Sequence, residues 1–324
     1  MRGNFLKMIL LSLCFLLGEM IFVPVGTSAW GPATHAFIAK GLDLKDPEKQ
    51  EIYGSVAPDL FNFLERSPYD AYLAEQTHDR FMSLLKEARR NQLEAFSLGF
   101  ISHNERWGAD FTAHRNGMTT ERGYVVTKSY KLVPQLRPSL DILLENAGVP
   151  VASWWASQLA PELSHYLVET AVDLLIKRNE DPAIGLDLFS SASQRPPSVP
   201  DLLVSAYAQR FALDKELSFD EARQIIRDAE EAFRQGMILY GQILDQDEPE
   251  AIKVLTEQGV DLLNTLIQSV TGKELNMPPS LLREFLDLAV QEVEGDYSQE
   301  IFETLAYLKR AKTMEFFIRI LREN

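Results

Sequence analysis

Only one cysteine occurs in the 324 residues, Cys14, inside an apolar stretch near the N-terminus. The rest of the chain therefore has no disulfide framework, and no thiolate to act as nucleophile or metal ligand. Basic side chains are also in short supply: 32 Lys and Arg stand against 47 Asp and Glu, a formal net charge of −15. Such a surface repels nucleic-acid backbones and anionic membranes over about 10 Å, a Debye length at ordinary salt. The chain shows no period-two strand alternation, no exact repeat, no phosphate-binding glycine loop and no G-x-S-x-G elbow. These absences leave a helical protein without phosphate-loop or serine-elbow chemistry.

The N-terminus reads as a secretory signal peptide. Arg2 and Lys7 precede an apolar run over 8–17, and Thr27-Ser28-Ala29 supplies small residues for cleavage before Trp30. A membrane anchor is the competing reading, because the run resumes at Ile21, Phe22 and Val23. Glu19 and Pro24 interrupt it, leaving less than the roughly 20 residues a span needs. Cleavage predicts a secreted or periplasmic protein with no transmembrane span. Its charge would be −16, since the leader takes Arg2, Lys7 and Glu19 with it.

Apolar residues make up 46 % of the chain, enough for a sizeable core. Three- and four-residue spacing, as in L-L-R-E-F-L-D-L-A-V, predicts helices over 219–244, 249–270, 279–293 and 298–322. Earlier helices are expected over 89–100, ending near His103, and over 160–176, where the apolar surroundings turn His165 and Glu169 inward. Thr77-His78 is expected near the head of a helix through Leu84 and Leu85. Asp59, after Pro58, should start or cap a helix. Pro134, Pro138 and Pro150 should punctuate the middle, and 190–200, S-S-A-S-Q-R-P-P-S-V-P, should form a linker or long loop. The expected organisation is a leader (1–29), a site-bearing helical domain (30–200) and an acidic helical C-terminal region (201–324). The fold class is all-α.

Histidine is scarce but placed with a pattern. All five, His35, His78, His103, His114 and His165, lie in the first 165 residues. A lone histidine is more often a satisfied structural residue than a ligand. Here Asp110 and His114 stand four apart, as do His165 and Glu169, so on helices each pair shares a face. Two such pairs from different helices can enclose an ion, because imidazole nitrogen and carboxylate oxygen are good zinc donors. His103 precedes Asp110 by seven residues, about 10 Å along an unbroken helix and too far for one ion. Gly108 marks where that helix can break and fold His103 back. After cleavage, the Trp30 amine and carbonyl could chelate a metal, with His35 close in sequence; on that reading the indole ring is dispensable.

In type and order, Trp30, His35, Asp59, His78, His103, Asp110, His114, His165 and Glu169 resemble the nine ligands of the bacterial zinc-dependent phospholipase C family. That family shares its all-helical trinuclear zinc site with the S1/P1-type nucleases. The resemblance spans roughly residues 30–176 and leaves the later helices as an addition to the bundle. One departure stands out: the family aspartate usually follows the third histidine by four residues, where this chain has Trp107, with the aspartate at Asp110. The resemblance implies two to three zinc ions. Asp59, His78, His103 and Asp110 would hold the first, and His114, His165 and Glu169 the second. The Trp30 amine and carbonyl, His35 and a bridging Asp110 would hold the third. Asp59 would also be catalytic, orienting the attacking water.

The activity this implies is in-line hydrolysis of a phosphodiester, foremost the headgroup ester of a phospholipid met in transient contact with a membrane surface. The family's choline pocket is not reproduced: its acid corresponds to Ala33, and Leu60 follows Asp59. Phe61, Phe63 and Tyr69 could line a cleft, although packing is the commoner fate of such rings. Two alternatives stay open. An S1/P1-type zinc nuclease is disfavoured by the acidic charge and the lack of a basic-aromatic groove. A non-catalytic, metal-stabilised binding protein would use the acidic C-terminal helices instead.

Overall fold

Helices joined by short turns account for nearly all of the described residues. A computed structural model describes residues 30–43, 49–63, 67–91 and 93–311. The expected leader and the end of the last expected helix, beyond residue 311, lie outside the described residues, as do the side chains of Phe63 and the stretch 89–92. Among the described residues there is no strand, and the fold is all-α.

The site-bearing part begins with α1 (Pro32–Gly41) and α2 (Gln50–Val56), which runs into a 3-10 segment (Ala57–Phe63). Next come α3 (Asp70–Asp79), α4 (Met82–Asn91), α5 (Glu94–His103) and a short π-helix (Phe111–Arg115). Two long helices follow, α6 (Tyr124–Asn146) and α7 (Trp154–Leu175), the latter extended by a π turn (Ile176–Glu180). The chain continues through α8 (Ile184–Ser193), α9 (Val199–Lys215), α10 (Phe219–Asp245), α11 (Glu248–Thr271), α12 (Pro279–Val293) and α13 (Tyr297–Arg310).

Several expectations change at the level of elements. His78 lies near the C-terminal end of α3 rather than at the head of a helix. The single helix expected over 89–100 is divided: the Leu93 amide donates back to the Ala88 carbonyl at 3.3 Å, closing α4, and the buried Leu93 side chain turns the chain into α5. The expected linker shrinks to a turn over 194–198, because S-S-A-S completes α8 and Pro200 sits in the first turn of α9, where its missing N–H is harmless. Pro134 and Pro138 lie inside α6 on its exposed face, so water can reach the carbonyls they leave unpaired.

The decisive packing contact for the site is the crossing of α2 and α5. A methyl group on Gly54 would overlap the Phe96 carbonyl, and one on Gly99 would overlap the Glu51 carbonyl. Two glycines thus let the backbones touch, and α5 delivers its last residue, His103, against the end of α2. Around this crossing Tyr53, Phe96, Phe100 and Phe233 are buried, each contributing roughly 1.5–3 kcal/mol through the area removed from water.

The C-terminal region shares this core, which runs without a break from Trp30 to Leu308. Helix α10 packs on α8, α9 and the 3-10 segment, α12 on α7 and α6, and α13 on α1. Polar ties follow the same routes. The Tyr53 hydroxyl donates to Glu230 of α10 at 2.8 Å, and Glu300 of α13 accepts the Met118 and Thr119 amides at 2.7 and 2.6 Å. The acidic helices are the back wall of the site-bearing bundle. No helix among the described residues is long and apolar enough to cross a membrane.

Candidate metal centre

Histidines from three separate elements converge on one buried carboxylate, Asp110. His103 Nε2 lies 2.9 Å from Asp110 Oδ2, and His78 Nε2 lies 3.6 Å from the same oxygen. His35 Nε2 lies 3.2 Å from the other oxygen, Oδ1. Asp59 closes the group, its Oδ1 3.3 Å from His78 Nε2 and 3.6 Å from His103 Nε2. The His35 and His103 rings stack with centroids 4.0 Å apart.

The chain folds to this arrangement at Gly108. Helix α5 stops at His103, and the Gly108 amide donates to the Asn104 carbonyl at 3.0 Å, turning the backbone around. A side chain at Gly108 would run into the main chain of His103 and Asn104, so only glycine allows so tight a return. Asp110 then opens the π-helix Phe111–Arg115, closed by the Asn116 amide on the Phe111 carbonyl at 2.9 Å. The expected i, i+4 helix is a π turn instead, a feature that recurs at functional sites.

Hydrogen bonds fix which ring nitrogen faces the centre. His103 Nδ1 meets the Ser55 carbonyl at 2.7 Å, and His78 Nδ1 meets the Ala74 carbonyl at 2.8 Å. A carbonyl only accepts, so each Nδ1 carries a proton, and each ring, when neutral, presents a bare Nε2 lone pair to the centre. Those lone pairs point at carboxylate oxygens, which are also acceptors. Accordingly His35 Nε2, His78 Nε2, His103 Nε2 and both Asp110 oxygens are buried without a hydrogen-bond partner. Buried acceptors facing one another need a proton or a metal cation between them, and the raised pKa of His103 shows that a proton takes that place when no metal is bound. Two overlapping groups have metal-ligand geometry: His35 with His103 and Asp110, and Asp59 with His78 and His103.

A second set stands on α7 and the π-helix. His114 Nε2 and His165 Nε2 are 3.3 Å apart, and His165 Nε2 is 3.0 Å from Glu169 Oε1. Glu105 bonds His114 Nδ1 and also takes Arg115 Nε at 3.3 Å. A carboxylate on the far nitrogen is the partner that metal-ligating histidines usually have. Glu105 is absent from the nine ligands read from the sequence, because the turn at Gly108 that brings it to His114 leaves no periodicity.

The electrostatics of the cation-free cluster show how tightly its charges are matched. Burial alone would lower His103, but Asp110 and Asp59 drive its pKa well above the usual histidine value. Burial would likewise raise Asp59, yet His103 and His78 bring it down to about 2. Asp110 is held lower still by His103 and His35, against its own burial. His35 goes the other way, lowered by burial and by His103. Asp59, with its side chain 19 % exposed, and His165, at 13 %, are the members most open to water.

Of the nine expected ligands, eight side chains thus fall into two sets. Trp30 is placed by its ring, whose Nε1 donates to the Ala109 carbonyl at 3.1 Å and to Thr112 Oγ1 at 3.2 Å. The indole that sequence reasoning treated as dispensable is therefore anchored beside Asp110. Phe61 is wholly buried, which removes it from any cleft, and Tyr69 is half-buried and packs edge-on against Phe211. Compared with family models, curated proteins and solved structures, the chain gives no match.

Proposed function

We propose that this protein is a zinc-dependent phosphodiester hydrolase acting on phospholipid headgroup esters. The observation that carries the reading is the set of buried, unpartnered acceptors: three imidazole Nε2 atoms and both oxygens of Asp110. Asp59, His78, His103 and Asp110 would hold one ion. His35 and Asp110, with the Trp30 main chain, would hold a second, and His114, His165 and Glu169 a third. Imidazole and carboxylate without thiolate is a donor set zinc accepts, and sites with several such ions are typical of phosphoester cleavage. Bound there, the ions would supply Lewis-acid stabilisation of phosphoryl charge and acidify the attacking water.

The chain's own residues set the rest of the chemistry. Ser55 and Ala74 hold His103 and His78 in one orientation, with Nε2 turned to the centre. Asp110, buried, keeps its two oxygens turned to two different histidine groups and so fixes their spacing. Asp59 would orient the attacking water, whose proton passes to solvent as the new P–O bond forms and the bond to the leaving oxygen breaks. That oxygen then collects a proton from solvent.

Elemental analysis after dialysis should find two to three equivalents of zinc. One zinc-loaded preparation should hydrolyse a phosphocholine ester faster than single-stranded DNA. Faster cleavage of DNA would make it a nuclease, one equivalent of zinc or fewer would overturn the multinuclear site, and no activity on either substrate would overturn the enzyme reading.

A further inference from the structure

One buried carboxylate near the centre belongs to neither ligand set. Asp173 follows Glu169 by four residues on α7, so His165, Glu169 and Asp173 form a stripe at i, i+4 and i+8. It is wholly buried, and four donors converge on it. These are the Ala33 amide at 3.0 Å, the Thr34 amide at 2.8 Å, the Thr34 hydroxyl at 2.6 Å and the Tyr240 hydroxyl at 2.8 Å.

Three of the four come from the first turn of α1. The leading amides of a helix have no carbonyl of their own helix to bond, and a side chain at the N-cap usually serves them. Here the N-cap is Gly31, which has no side chain, and the cap comes from another helix. The glycine is needed for it: a methyl group at Gly31 would stand 2.5–2.7 Å from the Asp173 carboxylate atoms. On the opposite side, the Trp30 indole bonds the Ala109 carbonyl, next to Asp110, and its ring stacks on Tyr124 at 5.4 Å. Residues 30–34 are therefore gripped between α7 and the Asp110 segment. His35 is the next residue, and its amide donates to the Gly31 carbonyl at 3.1 Å.

We infer that Asp173 is a positioning residue for the metal centre: by capping α1 from the helix that carries His165 and Glu169, it seats residues 30–34 and so sets His35 against Asp110. The inference rests on the zinc reading above. It makes α7 the shared frame of the two ligand sets, one mounted on it directly and the other held by its cap. Tyr240, from α10, holds the far side of the same carboxylate and ties the C-terminal region to the centre.

Three variants test it. Asp173→Asn keeps the size but sets an N–H₂ where the Ala33 amide needs an acceptor. Gly31→Ala presses on the cap without changing a charge, and Tyr240→Phe removes one bond and leaves three. Zinc equivalents and release to a chelator are measured below each variant's unfolding temperature, with helix content checked by circular dichroism. Asp173→Asn and Gly31→Ala should each lose about one equivalent and retain the others. Tyr240→Phe should keep all equivalents but release one about tenfold faster, at the lower end of what outer partners of ligands contribute. If Asp173→Asn does not fold, the other two variants decide. Helical variants with the wild-type complement and rate of release overturn the role of Asp173. Wild-type protein that holds no zinc overturns the metal reading as well, so the two failures are distinguishable.

Discussion

Glu105 shows how one carboxylate can matter from outside the proposed ligand set. Its oxygen bonds His114 Nδ1, so the ring is held with Nε2 toward His165. Glu105→Gln replaces an ionic acceptor with an amide, which weakens the hold and the basicity of the ring. We expect affinity for the ion at His114, His165 and Glu169 to fall about 10–100-fold, the others being retained. Zinc competition with a graded series of chelators measures this, and unchanged affinity at every site would mean His114 is oriented by other contacts. At this scale the sequence shows which residue types can gather at the centre and hides what supports them. Imidazole and carboxylate are written in the residue names, whereas the Ser55 and Ala74 carbonyls that fix His103 and His78 are main-chain atoms any residue could offer. Trp30 gave a mixed result: its place at the site was legible, but the bond from its indole to Ala109 depends on a contact 79 residues away.

At the scale of elements, the α2–α5 crossing carries His103 to the centre. Gly99→Ala would force the two backbones apart, and overpacking of this kind destabilises by about 1–3 kcal/mol. The same displacement draws His103 away from Ser55 and Asp110, so zinc affinity should fall with stability. Denaturant midpoints with and without zinc separate the two effects; a variant as stable and as zinc-avid as wild type would show that the crossing has slack. Helices with strong three- and four-residue periodicity were read from the sequence nearly to the residue, as for α12 over Pro279–Val293. The short elements around the site were not. A 3-10 segment carries Asp59, a π turn carries His114, and α3 ends just after His78. Each is shaped by tertiary contacts and turns too short to set up a hydrophobic period. The reach from His103 to Asp110 was still legible, because Gly108 is a local signal.

For the whole molecule, the balance of buried charge predicts a reversal of pH dependence with zinc. In chelator-treated protein, Asp59 and Asp110 lie below their usual value of 3.8, so their stabilisation is present above that pH and lost as the pH falls. His78 and His103 lie above 6.5, so theirs is present below 6.5 and lost as the pH rises through their folded values. Burial also lifts Asp173 to about 6 and Glu162 to about 7, and both carboxyls lose stabilisation as they ionise. His35, lowered, works in the opposite sense alone. Zinc-free protein should therefore be more stable at pH 5 than at pH 8. Zinc competes with protons for the Nε2 atoms, so loaded protein should show the reverse order. Denaturant midpoints at the two pH values check this, and parallel trends with and without zinc would contradict it.

The ties from the C-terminal region to the centre also fix a sequence of events in time. A ribosome releases Thr119 long before Glu300, its partner 181 residues later, and Asp173 long before Tyr240. At roughly 5–20 residues per second, the loop beyond His114 waits on the order of ten to forty seconds for its clamp. The contacts that Glu300 and Tyr240 add around the centre can form only once those residues have been made, although the residues gathered there all precede residue 170.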